Sequence, residues 1–179
     1  GAWKIGATPP NAQAGLGVDG AVASRLFTQN IMKGNQELPD TYLIRGLEAE
    51  YAFLLGADLP PTGAPYSASQ IAAAITSVHP AIEVVDTRFT SAQQGPIAVC
   101  DNVNDGVWIY GEGATDWQNL DIINAPVTMQ VNDEVINGSG EQVLGDPMIS
   151  LTWLVNEHAS AREGLRAGQF ITTGSCTGL

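Results

Sequence analysis

The feature that most constrains the fold of this chain is a pair of carboxylates inside an apolar run. Residues 46 to 56 are apolar or glycine apart from Glu48, Glu50 and Tyr51. Side chains alternate between the two faces of a β-strand, so a strand here places both glutamates on one face. Burying paired carboxylates is costly unless a cation compensates for their charge. The run therefore predicts a strand whose acidic face meets either solvent or a bound metal ion.

A third acid lies in a similar setting. Glu83 interrupts the apolar, mostly β-branched run of residues 81 to 85, which also predicts a strand. Carboxylates from two strands suit a hard divalent cation, and all-oxygen ligation favours Mg²⁺, Mn²⁺ or Ca²⁺ over Zn²⁺. The alternative is that Glu48 and Glu50 form the solvent-facing side of an amphipathic edge strand. The spacing alone leaves both interpretations open.

Composition limits the class of protein. With 179 residues, 44% hydrophobic and 15% charged, the chain has the size and content of one globular domain. A net charge of −12 with only 7 basic residues argues against nucleic acid or an anionic membrane as a partner. No apolar stretch has the length of a membrane span, and no secretory pattern is recognised, so we expect a cytoplasmic protein with Cys100 and Cys176 as free thiols.

Local patterns predict short strands and few helices. Ser67 and Gln70 form a capping box before an apolar pattern that predicts a helix through Val78, with His79 as a helix-end residue rather than a catalytic one. Asn132-Asp133 predicts the turn of a hairpin. Asp146-Pro147 predicts the start of a second helix, whose apolar face reaches His158.

Four blocks in the same order resemble the fumarylacetoacetate hydrolase superfamily, most closely its 2-keto-4-pentenoate hydratase branch. They are the sequences at residues 3–8, 46–50, 80–86 and 165–174. The resemblance implies an α+β fold, a rolled and mostly antiparallel β-sheet with a few helices, like the C-terminal domain of that superfamily. It also implies that residues 1–179 form a single catalytic domain without the N-terminal helical segment and the C-terminal strands of relatives.

The resemblance implies roles for several residues. Glu48, Glu50 and Glu83 would bind Mg²⁺ or Mn²⁺. Lys4 lies where hydratases have an active-site lysine, so it is the candidate for proton transfer. Four further residues complete the predicted site: Asp101 as a second catalytic candidate, Thr173 and Gly174 as ligands of the substrate carboxylate, and Arg88 as a further substrate-binding candidate.

The resemblance implies a hydratase that adds water to 2-hydroxypenta-2,4-dienoate, the enol of 2-keto-4-pentenoate, to give 4-hydroxy-2-oxopentanoate in aromatic catabolism. A 2-oxo-3-enedioate decarboxylase of the 4-oxalocrotonate type is an alternative, and it would need a further cation for its second carboxylate, for which Arg88 or Arg25 is available.

An acylpyruvate or fumarylacetoacetate hydrolase is a third possibility, although no histidine lies between Lys4 and Glu48 to activate water. A non-catalytic partner subunit is the alternative of another class, because the acidic loop residue of several hydratases is replaced near Ala21. We expect a small 2-oxo acid as substrate and a homo-oligomer as the assembly.

Overall fold

A computed structural model describes residues 1–44, 46–91, 93–159 and 163–178, without the side chains of residues 158 and 159. The prediction for His158 concerns a side chain outside the described residues. The strands are β1 (Ala2–Gly6), β2 (Val22–Leu26), β3 (Ile31–Lys33), β4 (Gly46–Leu55), β5 (Ile75–Val85), β6 (Asp105–Tyr110), β7 (Pro126–Val131), β8 (Glu134–Ser139) and β9 (Phe170–Ser175). The α-helices are α1 (Pro10–Leu16), α2 (Ala68–Ala73), α3 (Gly95–Cys100) and α4 (Pro147–Trp153).

Seven of the strands form one sheet in the order β2-β1-β9-β4-β5-β6-β3, and β7 and β8 form a separate hairpin. The pairs β1–β9 and β3–β6 are parallel, whereas the other neighbours are antiparallel. This curled, mixed but mostly antiparallel sheet with a few short helices confirms the predicted fold class.

The two faces of the sheet differ in character. On β4, Phe53 and Leu55 point into the larger core, which also contains Ile71 of α2 and Leu151 of α4. Alternate residues point to the opposite face, where Ala52 packs in a smaller cluster with several apolar side chains. Those side chains are Ala2, Leu26, Ala81 and Trp108. Glu48 and Glu50 share this second face because each lies an even number of residues from Ala52 along the strand.

The prediction of a helix through Val78 is wrong beyond the first turns. The capping box between Ser67 and Gln70 is present, but α2 ends at Ala73 and β5 begins at Ile75. β5 pairs with β4 along almost its whole length, and it continues through Pro80. Pairing with a long neighbouring strand, together with the β-branched side chains at its start, outweighs the helical spacing. His79 therefore lies within a strand and not at a helix end.

Other predicted elements are confirmed. The hairpin turns at Asn132-Asp133. The carboxylate of Asp146 accepts a hydrogen bond from the backbone N–H of Met148 at the start of α4. α4 continues into a π-helix at Leu154–Ala159.

Among the described residues, no helix has the length and hydropathy needed to span a membrane.

Candidate active site

The three glutamates singled out in the sequence come together on one face of the sheet. One carboxylate oxygen from each of Glu48, Glu50 and Glu83 lies within 4.8 Å of the other two. Glu48 and Glu83 are directly opposite one another on β4 and β5. Since β4 lies between β9 and β5, it is not an edge strand, and Glu50 and Glu83 are buried. The alternative of a solvent-facing edge strand is therefore wrong.

Lys4 supplies the positive charge of this cluster. Its side chain is only 2% exposed, and its Nζ donates hydrogen bonds to Glu83 and, at 3.1 Å, to the carbonyl oxygen of Val103. Burial alone would lower the pKa of Lys4, but the charges of Glu83 and Asp105 outweigh burial and raise it. The lysine is consequently an ammonium ion at neutral pH.

The single positive charge of Lys4 does not balance the three carboxyl groups of the cluster. Burial is the largest cause that raises the pKa of Glu83 to about 7, against the opposing effect of Lys4. Burial, followed by repulsion from Glu83 and Glu48, raises the pKa of Glu50 well above its usual value. Burial also raises the pKa of Glu48. A divalent cation among three such oxygens would offset this repulsion, so the donor set fits a hard metal ion.

Thr172 is a member of the cluster that the sequence analysis missed. Its hydroxyl donates to Glu50, and the residue is fully buried on β9 beside Lys4 of β1. The neighbouring Thr173 points the other way, because its hydroxyl donates to the carbonyl of Tyr51 at 3.0 Å. Residues two positions apart on a strand share a face, so a strand that places Gly174 at the site also places Thr172 there.

Gly174 lies at the cavity wall and needs to be glycine. Its φ is +109°, and a Cβ atom there would lie 2.7 Å from the hydroxyl oxygen of Thr8. The backbone can therefore come close to a ligand at this point. Carboxylate binding by Thr173 and Gly174 stays a prediction; of the two residues, Gly174 is the one that lines the cavity.

Asp101 and Arg88 lie outside the cavity lining. The carboxylate of Asp101 accepts a hydrogen bond from the hydroxyl of Thr87, and its Oδ1 is 3.2 Å from Nη1 of Arg88. The guanidinium of Arg88 also donates to the backbone carbonyls of Asp101 and Asp105. The structure thus joins Asp101 and Arg88 to each other and not directly to the acidic cluster. Their predicted catalytic and substrate-binding roles stay predictions.

A cavity of about 560 Å³ opens over Lys4, Glu48 and Glu83. Its remaining walls come from Val85 of β5 and from four other parts of the chain: the loop after β1, helix α1, the turn at 103–104, and the loop end of β9 with Gln142. Within the described part of the chain, Lys4 is the one cation among the lining residues.

The described histidine side chain, His79, belongs to a different part of the molecule. Its Nε2 lies 2.8 Å from the hydroxyl of Ser77, and its Nδ1 lies 2.9 Å from the carbonyl of Gly111. Its ring also packs edge-on against Tyr110 and Phe170. His79 is not among the described residues that line the cavity, and the expectation that it is not catalytic stays a prediction.

Comparison with known proteins identifies relatives of this chain. No protein-family model matches it. It is 30% identical over 175 residues to 2-keto-4-pentenoate hydratase 2 of Dechloromonas aromatica (strain RCB), covering 96% of this chain and 66% of that protein. It is 32% identical over 177 residues to 4-oxalocrotonate decarboxylase of Pseudomonas sp. (strain CF600), covering 97% of this chain and 66% of that protein.

A solved structure agrees with these relationships. The 4-oxalocrotonate decarboxylase of Pseudomonas putida G7, complexed with magnesium and adipate, superposes with a TM-score of 0.80 at 28% identity. The match covers 98% of this chain and 67% of that protein. Fold, site and sequence together show that the chain belongs to the fumarylacetoacetate hydrolase superfamily. Within it, the chain lies in the group of 2-keto-4-pentenoate hydratases and 4-oxalocrotonate decarboxylases, and it spans 66% of the length of the relatives named above.

Proposed function

We propose that this chain carries the active site of a metal-dependent hydratase that adds water to 2-hydroxypenta-2,4-dienoate and forms 4-hydroxy-2-oxopentanoate. The observation that carries the proposal is the cluster of Glu48, Glu50 and Glu83 beside Lys4. All of its members except Glu50 line one cavity. The hydratase names of relatives at about 30% identity support the reaction type.

The three glutamates would hold the cation, which we propose to be Mg²⁺ or Mn²⁺. All three ligands are carboxylates, the type that these ions prefer. The magnesium in the structure of the decarboxylase relative agrees with this choice. When bound, the ion would supply Lewis-acid polarisation of the 2-oxo group and neutralise negative charge that develops on its oxygen.

The chain itself would position the substrate and move the proton. The ammonium of Lys4 has three N–H donors, of which Glu83 and Val103 take two. The third is available to a group in the cavity, so Lys4 is the proposed proton-transfer residue for the distal carbon. The hydroxyl of Thr172 would hold the Glu50 carboxylate in place, and the backbone at Gly174 would approach the substrate carboxylate.

The charge of the cavity favours hydration over decarboxylation of an enedioate. A dicarboxylate needs a second cation near its distal end, and Arg88 and Arg25 were the candidates. Arg88 is bonded to backbone carbonyls on either side of the 102–104 turn, and Arg25 pairs with Glu163 and lies over the ring of Trp3. Neither arginine is among the described residues that line the cavity. A substrate with one carboxylate matches this lining better.

A substrate comparison tests the proposal. Freshly generated 2-hydroxypenta-2,4-dienoate and 4-oxalocrotonate would be followed by their ultraviolet absorbance, each with added Mg²⁺ and the same amount of protein. The proposal predicts faster decay of the dienoate, with 4-hydroxy-2-oxopentanoate as the product. Faster loss of 4-oxalocrotonate with release of CO₂ would instead identify a decarboxylase.

A further inference from the structure

The turn that follows Asp101 has an unusual backbone. Asn102, Val103 and Asn104 have φ values of 55°, 54° and 59°, so three consecutive residues adopt the left-handed conformation. This conformation is tolerated by asparagine, but it is a marked departure for a β-branched residue such as Val103. A backbone of this kind persists only where surrounding contacts hold it, and it is frequent at functional sites.

Arg88 provides contacts at both ends of this turn. Its Nη1 donates to the carbonyl oxygen of Asp101 at 2.9 Å, and its Nη2 donates to the carbonyl oxygen of Asp105. One planar guanidinium therefore bridges the residue before the turn and the residue after it. The side chain of Asn102 adds a second restraint, since its Nδ2 donates to the carbonyl of Arg25 at 2.9 Å and to the carboxylate of Asp105 at 3.1 Å.

The turn presents its middle residues to the active site. The carbonyl of Val103 accepts the 3.1 Å hydrogen bond from Lys4, and a Cβ atom on Gly6, two residues after Lys4, would lie 3.2 Å from Cγ1 of Val103. Val103 and Asn104 both line the cavity. The position of the Val103 carbonyl thus helps to set the direction in which the ammonium of Lys4 points.

We propose that Arg88 is a positioning residue that acts on Lys4 through the left-handed turn. This role rests on the proposed function of Lys4 in the cavity. The side chain of Arg88 is 47% exposed and lies outside the cavity lining, which fits a residue that acts through the backbone and not by touching the substrate.

The test measures binding of pyruvate, the smallest 2-oxo acid with a methyl carbon, to magnesium-saturated protein by calorimetry. Arg88→Ala should weaken pyruvate binding roughly tenfold, because two charge-assisted hydrogen bonds that hold the turn are lost. Magnesium affinity should change little, since Arg88 contacts none of the three glutamates. Arg166→Ala, which removes another exposed arginine, is the matched control and should bind pyruvate as the wild type does.

Two further measurements separate positioning from general destabilisation. Millimolar guanidinium should restore pyruvate binding to Arg88→Ala, because the exposed site gives the small ion access to both carbonyl groups. In a Lys4→Met background, Arg88→Ala should cause no additional loss. If Arg88→Ala proves unfolded, Arg88→Lys replaces it, with a partial loss expected because an ammonium cannot bridge both carbonyls in the same way.

The inference is overturned if Arg88→Ala binds pyruvate as tightly as the wild type. It is also overturned if guanidinium restores nothing, or if the loss is equally large in the Lys4→Met background. A wild-type protein that binds neither Mg²⁺ nor pyruvate would overturn the proposed function itself, and the inference with it.

Discussion

Lys4 on β1 forms a buried ion pair with Glu83 on β5, although β9 and β4 lie between these strands in the sheet. In a flat sheet the two backbones would be about 14 Å apart, at roughly 4.8 Å per strand. Side chains stand roughly perpendicular to a sheet and do not extend along it toward a strand three positions away, so the contact requires the sheet to curl toward this face. The same curl brings Glu48 and Glu50 of β4 against the pair and creates the acidic cluster.

Replacing Lys4 should separate catalysis from metal binding. Lys4→Met should abolish most dienoate turnover, because it removes the proposed proton-transfer group, while Mg²⁺ should bind at least as tightly once a competing positive charge is gone. Steady-state rates and calorimetry measure the two effects. Lys33→Met is the control, since Lys33 pairs at the surface with Glu112, and its turnover should match the wild type. Unchanged turnover in folded, metal-loaded Lys4→Met would contradict the assignment.

Phe53 should be a major contributor to stability. It is fully buried in the larger core and packs edge-on against Trp117, with ring centroids 6.0 Å apart. Phe53→Ala should lower the free energy of unfolding by about 3–5 kcal/mol, through lost burial and a residual cavity. Phe27→Ala is the control, because Phe27 is 48% exposed and should change stability by less than about 1 kcal/mol. Urea unfolding measures both; equal effects would mean that this core is misassigned.

The β7–β8 hairpin should depend on a glycine where it meets β9. A Cβ atom on Gly138 would overlap the backbone carbonyl of Cys176, which accepts a hydrogen bond from Ser139 at 3.1 Å. Gly138→Ala should therefore lower the thermal midpoint, since backbone atoms cannot move aside as side chains do. Gly15 lies in α1, and a Cβ atom there would meet nothing within 4 Å beyond its own helix and chain neighbours. Gly15→Ala should therefore leave stability unchanged or raise it by up to about 1 kcal/mol. Equal midpoints for both variants would argue against this contact.

The two cysteines should differ in reactivity. Cys100 is exposed, whereas Cys176 is fully buried, and burial is the main cause that raises the pKa of its thiol to about 12. In native protein at pH 8, a disulfide reagent should modify Cys100 quickly, and it should modify Cys176 only after denaturation. The Cys100→Ser variant should show no fast phase. Rapid modification of that variant would show that Cys176 is accessible.

The raised pKa of Cys176 also implies that this group lowers stability as the pH becomes alkaline. The unfolded thiol loses its proton near pH 8.5, and the folded thiol keeps it until about pH 12. The unfolded state therefore binds fewer protons between these values, so this group lowers the free energy of unfolding as the pH rises. Cys176→Ala should lose less stability than the wild type between pH 8 and pH 10. Parallel pH profiles of the two proteins would contradict the expectation.

The sequence predicted the acidic cluster because strand alternation fixes which glutamates share a face. It also predicted the helix caps and the hairpin turn, because each of these depends on a few adjacent residues. It did not predict β5 correctly, since the strand start at Ile75 depends on pairing with β4, far away along the chain. It did not indicate Thr172 as a partner of Glu50, because which threonine of β9 faces the cluster depends on the strand register. Arg88 bridges the two ends of the left-handed turn at Val103, and no local pattern signals that contact.

The central claim is that Glu48, Glu50 and Glu83 hold a divalent cation on which turnover depends. The most direct measurement is magnesium titration by calorimetry, followed by dienoate decay with and without a chelator, for wild type, Glu50→Gln and the surface control Glu112→Gln. We predict that wild type and Glu112→Gln bind Mg²⁺ and show chelator-sensitive decay, and that Glu50→Gln, although folded by circular dichroism, has lost both. Magnesium binding or chelator-sensitive decay in Glu50→Gln at wild-type levels would contradict this assignment of the site.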